Sequence, residues 1–106
     1  MTQNEAYRVV VAPRAAQLLT SHAAFLAHVC EEAAQHLVES FRAAAQSLRE
    51  NPRRCPWLRG TFLPPNTYRC LVFEKRYLLI FVIHEDVVHI DFVADCRQDY
   101  QWLLHP

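Results

Sequence analysis

The sequence predicts a two-layer α+β fold: an N-terminal strand, a helical hairpin, an antiparallel three-strand meander and a short C-terminal helix. Three observations lead there. A short β-branched run opens the chain, apolar residues then recur at three- and four-residue spacing as far as Leu48, and the second half alternates with a period of two. Since most strands follow the helices, one antiparallel sheet carrying both helices on a single face is the economical way to bury both apolar surfaces.

Tyr7 to Ala12 (YRVVVA) is the first strand, and Pro13 stops it. Leu18, His22, Phe25, Leu26 and Val29 then mark one stripe of a helix. After a break near Cys30, Ala33, Ala34, Leu37, Phe41, Ala44, Ala45 and Leu48 repeat the stripe until Asn51-Pro52 ends it. The proline-rich segment Arg53 to Thr67 has no sustained period and reads as a loop pinned by Trp57 and Phe62. Three strands follow, Tyr68 to Glu74, Arg76 to Ile83 and Val87 to Asp95, with tight turns at Lys75 and at His84-Glu85-Asp86. Arg97 to Leu104 reads as the short tail helix.

The length of 106 residues suits one core, so residues 1–106 are expected to form a single domain. Apolar residues make up 52% of the chain and charged residues 21%, without blocks of either, which excludes a disordered or low-complexity chain. No apolar run approaches the roughly 20 residues that span a bilayer, and the polar start lacks a signal-peptide core, so a soluble, cytoplasmic protein is expected. A single glycine, Gly60, argues against phosphate-cradling loops and Rossmann turns. Zero formal net charge removes any whole-molecule field steering the protein onto nucleic acid.

Neither a metal nor a cofactor is expected. Cys30, Cys55, Cys70 and Cys96 have no zinc-ligand spacing and read as free thiols. His84 sits at a turn, while His89, Asp91 and Asp95 alternate along one strand about 7 Å apart or more, too far for neighbouring ligands.

Strict alternation assigns the sheet faces. Cys70, Val72, Leu79, Phe81, Ile83, Val88, Ile90 and Phe92 would face the helices. Arg69, Leu71, Phe73, Leu78, Ile80, Val82, His89, Asp91, Val93 and Asp95 would face outward. An outward face so apolar needs a cover: Trp102 and Leu103 of the tail could supply part, and a partner protein the rest. Leu71, Phe73, Leu78, Ile80, Val82 and Trp102 are therefore the candidate partner-binding residues. Arg69 stands amid that face and needs a carboxylate or phosphate partner, which Asp91 or Asp95 could provide within the fold.

The stretches YRVVVAPRA, LRENPRRCPWLRG, YRCLVFEKRYLLIFVI and VVHIDFVADCRQDY, in this order and spacing, resemble the RelE/ParE superfamily of toxins over nearly the whole chain. The resemblance implies the toxin of a bacterial type II toxin–antitoxin system, bound and neutralised by a cognate antitoxin, arresting growth when free and stabilising plasmids that carry the pair.

The superfamily divides in mechanism. RelE-like members cut messenger RNA on the ribosome, with basic residues alternating on the second strand, an arginine after the tyrosine of the third, an arginine after the fourth and often a tail tyrosine. Those groups serve a reaction that must activate a 2′-hydroxyl, neutralise a phosphate and protonate a leaving oxygen. Here Arg69 fills the first basic position, but Leu71 stands at the next, and Leu78 follows Tyr77 where arginine is expected. Arg97 fills the position after the fourth strand, and the tail has Leu103 with Tyr100 as the nearest phenol. If the chain is a nuclease, Arg69, Arg97 and Tyr100 are its catalytic candidates. The depleted set and the absent net charge instead favour the ParE-like branch, which inhibits DNA gyrase by binding. An inactive relative that only pairs with an antitoxin is the third alternative, and the oligomeric state is left open.

Overall fold

The computed structural model describes residues 6–59 and 64–96. Strand β1 (Arg8–Val11) leads into helices α1 (Pro13–Ala27) and α2 (Glu31–Ser47), followed by strands β2 (Arg69–Phe73), β3 (Tyr77–His84) and β4 (Val87–Asp95). The expected βααβββ order is present. The expected tail helix lies outside the described residues.

Local chemistry explains the joints. Pro13 occupies the first turn of α1, where a missing N–H costs nothing. Glu31 and Glu32 sit in the first turn of α2 and complement its positive end. Beyond α2, Asn51 takes a left-handed conformation (φ 49°) that lets Pro52–Arg54 form one 3₁₀ turn. Arg54 caps the exposed carbonyls there, its Nη1 donating to Glu50 and Asn51 at 3.0 Å each.

The sheet order is β1-β4-β3-β2, and β1 pairs with β4 in parallel. The expectation of a wholly antiparallel sheet is corrected to a mixed one. The reason is topological: the helical hairpin acts as a crossover that returns the chain beside β1, where the Tyr7 N–H donates to the Arg49 carbonyl at 2.8 Å. The meander then reverses twice, so β4 runs in the same sense as β1.

Helices and sheet enclose a core built on Leu37, Phe41, Leu48, Leu79, Phe81, Val88 and Ile90. On the opposite face Leu58, Leu78, Ile80, Phe92 and Ala94 form a second, smaller core. Face assignments made by strict alternation are corrected on two strands, β2 and β4. Leu71 and Phe73 of β2 pack toward the helices, and Cys70 packs against the smaller core. In β4 the register shifts opposite Ile80 and Phe81, which pair with Phe92 and Ile90 and leave Asp91 as the extra residue. A one-residue bulge inverts every side chain beyond it. Phe92 therefore points away from the helices, Val93 joins the main core and Asp95 is buried.

Candidate functional site

The two sequence-derived sites were a cationic cluster around Arg69 and an apolar outward sheet face; the structure alters both. Arg69 begins β2, where its backbone bridges Trp57 in the incoming loop. Its guanidinium lies 3.8 Å from the centre of the Trp57 ring, and its Nη1 donates to the carbonyls of Cys55 at 2.7 Å and Arg53 at 3.0 Å. Planar stacking on an aromatic face is what arginine offers that lysine cannot. The expected carboxylate partner for Arg69 is thus replaced by an aromatic face and two backbone carbonyls. Arg97, Tyr100 and Trp102 lie outside the described residues.

The outward sheet face is filled by the chain itself. Leu78, Ile80, Phe92 and Ala94 are all buried, and Leu58, Tyr68 and Cys70 pack onto them. The Leu58 N–H donates to the Tyr68 carbonyl at 2.7 Å, fixing the loop against the start of β2. Tyr68 meets Phe92 edge-on at 6.3 Å, and the Arg14 guanidinium covers Phe92 at 4.5 Å. Of the residues proposed to bind a partner on this face, Leu71 and Phe73 belong to the opposite side, Leu78 and Ile80 are already covered, and Val82 is half-buried. Among the described residues, Val72, 55% exposed, and Val10, 38% exposed, are large apolar residues that the face leaves open.

The sequence reading missed a different apolar surface. Between α1 and α2 runs a groove of about 490 Å³, walled by Ala23, Ala24 and Ala27 on one side and Ala34 and Val38 on the other. Thr20, Glu39 and Arg42 also line it. Phe25 in α1 is 69% exposed, and Val29, just beyond the helix, is 79% exposed. A signal was present: from Ala15 to Cys30 no Asp, Glu, Lys or Arg occurs. Soluble surface helices ordinarily carry charge on the face away from the core, so a helix free of such charge after Arg14, with alanines on its open side, invites close approach by another element.

A small polar cluster joins α1 to the end of the sheet. His22 meets Tyr77 edge-on with ring centres 5.4 Å apart, while Tyr77 pairs with Asp95 across β3 and β4. Burial pulls the His22 imidazole below its ordinary range, against the opposing pull of the Asp95 charge and a hydrogen bond to the Val93 backbone.

The cysteines offer little nucleophilic or metal-binding chemistry. Cys30, Cys55, Cys70 and Cys96 are free thiols. Burial pushes Cys55, Cys70 and Cys96 upward, toward the protonated form that neither attacks nor ligates. Among the described residues no group of three or more histidines, cysteines and carboxylates is placed to hold a metal ion.

With this architecture in view, the family model for the ParE toxin of type II toxin–antitoxin systems, parDE, matches residues 9–100. The chain belongs to the ParE toxin family. The match spans β1 through β4, so the family assignment rests on the whole described fold and not on a local motif.

A solved structure described as the chromosomal ParDE system from P. aeruginosa superposes with a TM-score of 0.70, covering 87% of this chain and 98% of that one. At 15% identity this similarity speaks for the fold. No curated protein matches the sequence. For a ParE-family toxin the site features take on meaning as a set: an internally engaged arginine, a self-covered sheet and an open groove on the helical hairpin. No helix among the described residues is long and apolar enough to cross a membrane.

Proposed function

We propose that this ParE-family toxin arrests growth by binding DNA gyrase in the cytoplasm, not by cutting messenger RNA, and that a cognate antitoxin neutralises it by laying a segment along the α1–α2 groove. The observation that carries the mechanism is the engagement of Arg69. Its guanidinium already stacks on Trp57 and donates to two carbonyls, so recruiting it to a scissile phosphate would dismantle the loop it holds. Two of the other cations of the RNA-cleaving pattern are replaced, one by Leu71, which packs on the main core, and one by Leu78, which is buried on the opposite face. Transition-state charge on phosphate then lacks most of the preorganised partners on which such cleavage depends, Arg97 being the pattern's remaining arginine.

The antitoxin part of the proposal follows from which apolar surface is left open. The centre of the outward sheet face is covered by Leu58, Tyr68 and Arg14, whereas the groove between α1 and α2 is open and walled by small side chains. A helix or extended segment with apolar anchors suits a channel of this kind.

Induced expression separates the readings by what fails first. Expression of the chain alone is expected to trigger a DNA-damage response and filamentation while translation continues, and co-expression of the antitoxin to restore growth. Translation stopping within minutes with cut transcripts would support ribosome-dependent cleavage. Normal growth at high folded expression would support an inactive relative.

A further inference from the structure

The contact between α1 and the far end of the β3–β4 hairpin is a place where a titratable ring is part of the packing. His22 lies on the inner side of α1, half-buried, with the Tyr77 ring edge-on at 5.4 Å. Tyr77 is 2% exposed and stands across from Asp95, which is 5% exposed. Helix α1 thus meets the sheet here through an imidazole, a phenol and a carboxyl group, where the rest of its inner face offers Ala15, Leu18, Leu19 and Leu26.

We infer that His22 is a proton-sensitive fastener between α1 and the β3–β4 end of the sheet: the neutral ring holds the helix down, and the protonated ring loosens it. This goes beyond the toxin assignment and does not depend on it. Two opposing effects decide the sign. The Asp95 charge and the Val93 backbone favour the imidazolium, but loss of hydration at this half-closed site outweighs them. A charged ring recovers its hydration by moving outward, and α1 must shift with it.

The other groups around His22 do not reverse this. From β3 comes Tyr77, and from the turn before it Arg76, an exposed residue whose guanidinium lies 5.8 Å from the Tyr77 ring. From β4 comes Asp95, and β2 contributes the apolar ring of Phe73, which packs on Tyr77 with ring centres 5.8 Å apart. On α2, Glu31, Glu32, His36, Glu39 and Arg42 are all exposed, and Glu39 and Arg42 line the groove with Thr20 and Ala23. On α1 itself the other ionisable residue is Arg14, an exposed group that covers Phe92 on the opposite sheet face.

The test is amide exchange with NMR titration of the intact chain. In the wild type, protection of the α1 amides around His22, corrected for the intrinsic pH dependence of exchange, should be progressively lost between pH 7.5 and 5.5 as the ring takes up its proton. Protection in β3 should stay constant. In His22→Gln, which cannot take up a proton, α1 protection should be flat over the same interval, whatever the exposed histidines do. The His22 ring itself should titrate below 6.5. A ring titrating at or above 6.5 would overturn the inference, as it would mean that the pairing with Asp95 dominates. So would an acid-induced loss of α1 protection that persists unchanged in His22→Gln.

Discussion

Arg69 shows how far one side chain can be read from sequence. That an arginine in an apolar strand requires a strong partner follows from desolvation alone, but which partner it finds depends on a loop whose path carries no periodic signal. Trp57 and the carbonyls of Arg53 and Cys55 supply it. Arg69→Ala should therefore destabilise the protein by about 1–3 kcal/mol, through loss of the stacking and of two charge-assisted hydrogen bonds, as measured by denaturant unfolding. Folded Arg69→Ala should retain toxicity, and Arg69→Lys should recover only part of the stability because an ammonium cannot reproduce the planar stacking on Trp57. His22 yields a second prediction at this scale. Its pKa is lowered on folding, so between the folded value and the ordinary 6.5 the unfolded chain holds the extra proton, and stability rises with pH through that window. Thermal melts should show the wild type losing stability as pH falls below 6.5, with a shallower slope for His22→Gln; equal slopes would contradict the account.

At the scale of elements, periodicity located β1, the helical hairpin and all three meander strands, with β4 placed at Val87–Asp95 and the other boundaries within a residue or two. What it could not locate was the face of each strand. In β2 the residues Cys70 to Phe73 are all apolar, so neither alternation is favoured and the register comes from pairing with β3. In β4 the bulge at Asp91 has no glycine to announce it, and everything beyond it is inverted. Neighbouring β2 residues test the corrected register sharply. Val72 is 55% exposed and Phe73 5%, so Val72→Ser should stay within about 0.5 kcal/mol of wild type, whereas Phe73→Ala should cost about 3–5 kcal/mol. The reverse ranking in urea melts would restore the simple alternation. The groove on the hairpin escaped notice for a related reason: apolar periodicity identifies the buried stripe of a helix, while the signal of an open groove lay in the absence of charge on its other side.

For the whole molecule, the toxin family was legible in the order and spacing of strand and helix segments, because that order constrains topology even where identity is low. The placement of its working surfaces was not, because each apolar face could be covered either by the chain or by a partner. The sheet face is covered by the segment around Leu58 and Tyr68, and the hairpin groove is open. Ala24, exposed in that groove, distinguishes a binding surface from a merely tolerated one. Ala24→Glu should leave stability within about 0.5 kcal/mol of wild type yet weaken antitoxin affinity at least tenfold, about 1.4 kcal/mol, in calorimetric titration. The central claim, that this toxin acts by binding gyrase, is tested most directly by adding the purified chain to purified gyrase and relaxed plasmid and following supercoiling. The account predicts dose-dependent inhibition that survives Arg69→Ala and is abolished by prior addition of the antitoxin. Uninhibited supercoiling by a folded chain that cuts ribosome-bound messenger RNA, with cutting lost in Arg69→Ala at unchanged unfolding midpoint, would contradict it.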